Sequence, residues 1–192
     1  MILEGIVTTV DADGVVNIAP MGPIVDASMK TLRLRPFQTS TTYQNLKTHG
    51  EGVFHVTDDV LLLAQAAVGQ IDPPPLLVPA TRVKGHVLQE ACRFYEFEVR
   101  GVNDSGERAE IEARVVAQGR LRDFFGFNRG KHAVVEAAIL ATRLHLLPAK
   151  QVQEEFARLR VLVDKTGGKQ EQLAFRFLEE YVQHAGAEAA RP

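Results

Sequence analysis

The sequence predicts an α+β fold, mainly antiparallel, in which a closed or partly closed β-barrel is followed by helical additions. Three observations carry this. The first two thirds hold short apolar runs punctuated by turn residues. Within them, "FYEFEVRGV" and "EIEARVV" alternate apolar and polar residues on either side of the turn "NDSGE". The last third changes to helical spacing, with runs rich in Ala, Leu and charged residues.

Each element follows in order. "LEGIVTTV" and "VVNIAP" flank Asp13 and Gly14, a hairpin signal between two apolar runs. "TLRLRPF" sets Leu32 and Leu34 on one strand face and Arg33 and Arg35 on the other. Residues 41–49 read as a short helix, with Thr41 as N-cap, Gln44 at capping-box spacing and Gly50 as the stop. "GVFHV" is a short buried strand. A second helix is expected over 58–68, capped by Thr57 or Asp58 and ended by Gly69. The Pro-rich "GQIDPPPLLVPA" (69–80) reads as a long loop. In the hairpin, Tyr95, Phe97, Val99, Ile111, Ala113 and Val115 are expected inside. Glu96, Glu98, Glu110 and Glu112 are expected on the wet face.

A helix is then expected over 130–147, with Pro148 interrupting. A helical hairpin turns at Gly167 and Gly168, with apolar stripes Phe156–Leu159–Val163 and Leu173–Phe177–Tyr181. The tail 186–192 is expected to fray. The boundaries are therefore 1–125 for the barrel and 126–192 for the helical region.

Bulk properties narrow the function. The chain has 192 residues and a formal net charge of -2, with Lys and Arg dispersed, which gives no basic patch for nucleic acid. Cys92 is the single cysteine, so no disulfide forms within the chain and a reducing compartment fits. The N-terminus lacks a basic stretch before a long apolar run, and "VLLLAQAAV" is too short to span a bilayer. The expectation is a cytoplasmic protein without a membrane partner. The six histidines show no metal-ligand spacing. His55, in an apolar strand, is expected to be a packed core histidine. No P-loop, G-x-S-x-G or G-x-G-x-x-G occurs.

Three stretches carry chemistry. In "RPFQTSTTYQNL", a helix beginning near Thr41 offers free N–H groups and its positive dipole end. Thr39, Ser40, Thr41 and Thr42 can donate to a phosphate, and Arg35 can add a charge-assisted contact. The same hydroxyls also suit a plain helix cap facing water. In "NIAPMGPI", Asn17, Ala19, Pro20, Met21 and Gly22 leave backbone groups open to a flat ligand edge, or make a tight turn. In "FFGFNRGKHAVV", Asn128, Arg129 and Lys131 stand at another helix start. They either close over an anion, from the same chain or a partner subunit, or serve as ordinary cap residues.

Taken together, "VNIAPMGPI" and "LRLRPFQTSTTYQNLKTHGEGVFHVTDD" resemble the flavin-reductase-like branch of the FMN-binding split-barrel superfamily. More closely, the chain is similar to an uncharacterised domain-of-unknown-function family within that branch. Asn17, Ala19 and Pro20 match an Asn-x-Ala-Pro strand end. Thr39 to Thr42, Asn45 and Leu46 match a Thr/Ser-rich phosphate turn, and Gly50 to Val56 the strand after it. The resemblance implies a split β-barrel with a helical C-terminal extension, forming a homodimer with FMN at the subunit interface. It implies that Thr39, Ser40, Thr41 and Thr42 hold the phosphate with help from Arg35, and that the backbone from Ala19 to Pro23 edges the isoalloxazine ring. Many flavin reductases carry Lys-Asp-Thr at this turn, where this chain has Ser40-Thr41-Thr42. The implied activity is that of an FMN-dependent oxidoreductase using NAD(P)H or another small-molecule donor, with no side chain acting as acid, base or nucleophile. The alternatives are a non-catalytic flavin-binding protein and a split-barrel enzyme using a deazaflavin or a pterin.

Overall fold

The computed structural model describes the backbone of residues 1–189 and the side chains of residues 1–185. The chain divides into two compact units: Met1–Thr57 with Pro74–Phe124, and Asp58–Pro73 with the residues from Phe125 onward.

The first unit contains β1 (Gly5–Val10), β2 (Val16–Met21), β3 (Thr31–Leu34), α1 (Thr41–His49) and β4 (Glu51–Val56). After the excursion into the second unit come β5 (Leu77–Pro79), β6 (His86–Leu88), β7 (Arg93–Asn103) and β8 (Glu110–Arg120). Six strands form one antiparallel sheet in the order β2-β1-β4-β7-β8-β3, and β5 pairs with β6. The edges of the large sheet are β2 and β3. Ile24, just after β2, exchanges backbone hydrogen bonds with Arg33 of β3 at 2.8 and 3.0 Å. The sheet therefore curls until its two edges are joined through one short bridge, which is a split barrel.

The alternation in the sequence sets the barrel interior. Leu32, Leu34, Phe54, Tyr95, Phe97, Ile111 and Ala113 pack with Val7 and with Tyr43 and Leu46 of α1. Burying such side chains is worth roughly 1.5–3 kcal/mol each for the larger ones.

The predicted wet face of the hairpin is only partly wet. Glu96 is fully buried. Its cross-strand neighbour is Val53, and that face of the sheet packs against Val83 and Val87. The Glu96 carboxylate accepts from the N–H groups of Thr81, Arg82 and Val83 and from the Thr81 hydroxyl. A second layer of chain covers this part of β7, and its backbone donors compensate the buried charge. Period-two spacing cannot distinguish such a strand, covered on both faces, from one with a wet face. His55 is a buried core residue, with Nδ1 3.2 Å from the Ile6 carbonyl and Nε2 accepting from Leu88 N–H at 3.0 Å. Burial lowers its pKa to about 4, so it packs as the neutral ring.

The Pro-rich segment 69–80 is not loop throughout, because Leu77–Pro79 pair with His86–Leu88. Pro79 lies at the end of this short ladder, where a missing donor is tolerated.

The second unit contains α2 (Val60–Ala67), α3 (Arg129–Ala141), α4 (Ala149–Thr166) and α5 (Lys169–Ala189). The cap of α2 is Asp59, which accepts from Leu61 and Leu62 N–H, rather than Thr57 or Asp58. Asp58 accepts from Phe125 N–H instead. The helix expected over 130–147 ends at Ala141. Its buried face, Ala133, Val134, Ala137, Ala138 and Ala141, stops there, and the Thr142 hydroxyl donates back to the Ile139 carbonyl. The turn at Gly167 and Gly168 lies between α4 and α5 as expected. In α5 the buried stripe is Ala174, Phe175 and Leu178, whereas Leu173 is exposed. Helical periodicity leaves the phase open by one residue, and Phe156, 5.5 Å from the Phe175 ring, settles it. The backbone of α5 continues to Ala189, and the rest of the tail expected to fray lies outside the described residues. No helix among the described residues is long and apolar enough to cross a membrane.

Candidate anion-binding cleft

The barrel unit brings the first two chemical stretches together. Ala19, Pro20, Met21 and Gly22, at the end of β2, line one cleft with Arg35, Ser40 and Thr42, and its volume is about 260 Å³. The strand end must be thin here. A Cβ on Gly22 would stand 2.7 Å from the Ile2 side chain and 3.0 Å from a Glu4 carboxylate oxygen.

The start of α1 faces this cleft in a way that differs from the expected cap. Ser40, not Thr41, is the N-cap: its backbone is extended and its hydroxyl accepts from Tyr43 N–H at 3.2 Å. The same hydroxyl donates to the Phe37 carbonyl at 2.7 Å. Gln44 does not return to the cap; its amide donates to the Gln38 carbonyl. Thr41 and Thr42 thus occupy the first two helical positions, whose N–H groups find no acceptor in their own helix. Gly50, in the left-handed region at φ 67°, closes the helix.

The hydroxyls sort by position. Thr42 is buried and lines the cleft, whereas Thr39 and Thr41 are exposed and do not line it. Asn17 lies behind the cleft. Its amide donates to Thr42 Oγ1 at 3.0 Å and more weakly to Thr9 Oγ1, which also accepts from Asn45. Asn17 therefore ties the start of α1 to β1 and β2. The match at Asn17, Thr42 and Asn45 is one hydrogen-bonded cluster spread over three elements.

Arg35 supplies the charge. Its Nε is buried without an acceptor, and its side chain has no ion-pair or hydrogen-bond partner among the described residues. An unpaired buried guanidinium nitrogen costs free energy unless a ligand satisfies it.

Three further lining residues escape a linear reading: Pro36, Phe37 and Arg108. In sequence Arg108 follows the turn "NDSGE" and looks like any solvated charge. In the structure the tip of the β7–β8 hairpin folds onto α1. Tyr43 hydroxyl donates to Asp104 at 2.7 Å, Lys47 reaches the same oxygen at 3.0 Å, and Gln38 donates to the Asp104 carbonyl. The Tyr43 and Lys47 contacts lower the Asp104 pKa, and contacts to Tyr43 and Asp104 raise Lys47 to about 12. The only linear hint was the polar turn itself.

The third stretch lies in the other unit. Asn128 caps α3 by accepting from Lys131 N–H, and its amide donates to the Thr166 carbonyl. The Lys131 ammonium donates to the Asp58 carbonyl at 2.7 Å and to Gln170, and it pairs with Glu171 at 2.8 Å. Burial raises the Glu171 carboxyl, but the Lys131 and Gly168 contacts outweigh it and the net pKa is lowered. Arg129 is exposed.

A six-stranded antiparallel sheet whose edges meet through one bridge defines a class by fold, the split β-barrels, here with an anion-favouring cleft at the end of β2. The chain belongs to the family of proteins of unknown function DUF447: residues 3–122 match its N-terminal domain and residues 128–180 its C-terminal domain. An FMN-bound DUF447 protein of Methanosarcina mazei is similar over 94% of both chains, with a TM-score of 0.81 and 24% identity. The styrene monooxygenase flavin reductase of Pseudomonas putida S12 shares the fold over 63% of this chain and 82% of its own, with a TM-score of 0.52 and 16% identity. The 2-nitrobenzoate 2-nitroreductase of Pseudomonas fluorescens is similar over 61% of this chain and 64% of its own, with a TM-score of 0.52 and 16% identity.

Proposed function

We propose that this protein binds FMN in the cleft of its barrel unit and acts as an oxidoreductase. The observation that carries the reading is the convergence of Ala19–Gly22, Thr42 and an unpartnered Arg35 on one cleft. The residues fit the cofactor. Arg35 lacks an anion, the first N–H groups of α1 lack acceptors within their helix, and the backbone from Ala19 to Gly22 lines the cleft beside them. The FMN-bound relative from Methanosarcina mazei supports the same choice of ligand.

In this reading Arg35, Thr42 and the N–H groups of Thr41 and Thr42 hold the phosphate. Ser40 contributes through its backbone and its cap, since its hydroxyl is engaged at both ends. The backbone from Ala19 to Gly22 orients the ring. Bound FMN supplies the redox chemistry, and the chain supplies binding, orientation and electrostatics. No acidic residue is among the described residues that line the cleft, which suits an anionic ligand.

The cleft also argues for a second copy of the chain. Its volume of about 260 Å³ is smaller than the roughly 300–1,000 Å³ of sites that enclose a drug-sized ligand. A homodimer that completes the site accounts for the difference. NAD(P)H, meeting the flavin without a dedicated motif of its own, is the proposed electron donor.

Titration with FMN, read by quenching of flavin fluorescence, tests the binding. Saturable quenching with a rise in Tm is expected; neither occurring removes the proposal. NAD(P)H oxidation by the FMN-loaded protein separates an oxidoreductase from a flavin carrier. Light scattering with and without FMN reads the oligomeric state.

A further inference from the structure

The β7–β8 hairpin tip is a built feature that neither the barrel nor the start of α1 requires. Three side chains of the α1 segment clamp it: Gln38 on the Asp104 and Gly106 carbonyls, and Tyr43 and Lys47 on the Asp104 carboxylate. The backbone joins in, with Gln38 N–H donating to the Glu107 carbonyl and Ala109 N–H to that of Pro36. Arg108 is the residue this clamp delivers. Its guanidinium carbon lies 3.8 Å from the centre of the Phe37 ring, and its Nη1 donates to the Arg35 carbonyl at 3.2 Å. Arg108 therefore stands in a fixed stacked pose on the lining of the cleft that contains Arg35.

The clamp matters because of charge. Two guanidiniums and no carboxylate line the cleft, a formal charge of +2. A phosphate monoester carries a charge of about -1.5 to -2 at pH 7. A planar guanidinium pre-oriented by stacking loses less freedom when it engages an anion than a mobile lysine does.

We infer that Arg108 is the specificity residue that selects a flavin carrying a terminal phosphate monoester over the unphosphorylated flavin, and that Asp104 is its positioning residue. The inference rests on the FMN reading and deepens it. Arg108 touches the phosphate, and Asp104 acts only through the position of the hairpin tip. If Arg108 served only to fasten the hairpin, its loss would weaken both flavins alike.

The experiment measures Kd for FMN and for riboflavin by fluorescence quenching, in the wild-type protein and in R108L, R108Q and D104A. In R108L, FMN affinity is expected to fall about 10- to 100-fold, the size of one charge-assisted contact, with riboflavin affinity held within about twofold. D104A is expected to lower the FMN-to-riboflavin preference by a smaller factor, in the same direction. Arg108 is exposed, so folding is not at stake in R108L, and R108Q repeats the test with a polar side chain. Wild-type protein that binds neither flavin overturns the FMN reading and this inference with it. Wild-type protein that prefers FMN, with the preference unmoved in R108L and R108Q, overturns this inference alone.

Discussion

Two helix starts in this molecule carry the same signal in sequence, and the structure uses them differently. Both α1 and α3 begin with a small polar cap and have a basic residue close by. At α3 the charge is consumed. Lys131 pairs with Glu171, and the two side chains are only 14% and 7% exposed. At α1 the charge is left over, with the Arg35 side chain lacking a partner among the described residues. A helix start with a cation is an anion site only when no carboxylate of the same unit has already met the cation. Lys131 is part of the packing of the helical unit, and Arg35 is available to a ligand.

The largest expected effect tests that difference directly. Lys131→Met leaves Glu171 buried without its ion-pair partner, which costs about 3 kcal/mol and lowers Tm by several degrees. FMN affinity is expected to hold. A fall in FMN affinity with Tm unchanged would break the comparison, because Lys131 would then be a ligand residue.

Acid sharpens it by separating the two units. His55 has a folded pKa of about 4 against an ordinary value of 6.5. The unfolded chain therefore binds the extra proton first as pH falls. Stability is full above pH 6.5, declines between 6.5 and about 4, and loses on the order of 3 kcal/mol in total. Glu171 changes in the same direction at lower pH: its pKa is lowered, so its contribution persists until the pH falls below its ordinary value of 4.5. Hydrogen exchange at pH 5 is expected to show protection lost in β1, β4 and β6 before α3 and α5. The reverse order would contradict the assignment of His55.

Arg35→Ala gives a medium effect. FMN affinity is expected to drop about 10- to 100-fold, the scale of one charge-assisted bond, while Tm without FMN stays level or rises because an unpaired buried nitrogen is removed. Calorimetry with and without FMN reads both. The smallest effect is Thr42→Val, which removes one hydroxyl and leaves the Asn17 amide without its better acceptor. A few-fold loss of FMN affinity is expected, with a Tm decrease of a few degrees.

Much of the barrel was legible in the sequence. The alternations at Leu32–Leu34, Tyr95–Val99 and Ile111–Val115 named the interior correctly, because one face of each strand must be apolar. The hydroxyl run and the Asn-x-Ala-Pro strand end marked the cleft. Where reading failed, the cause was non-local. Glu96 read as wet because its spacing matched Glu98, and only the chain around Val83 covering that face makes it buried. Arg108 was invisible because its partners Phe37 and Arg35 lie about 70 residues away and meet it through hairpin docking. The cap of α1 was misplaced by one residue because Ser40 and Thr41 are equally suited to it, and the extended backbone of Ser40 decides.

The sequence by itself determined the period of each element, the antiparallel hairpin, the family and the two stretches that form the cleft. Those are local properties, set by side-chain alternation, turn chemistry and a capped helix start. Only the tertiary structure decided that α2, early in the chain, belongs with the late helices, that Lys131 is spent on Glu171, and that the Arg35 side chain meets no partner among the described residues. A charge is available to a ligand only when no opposite charge of the fold reaches it, and distance in space is not written in distance along the chain.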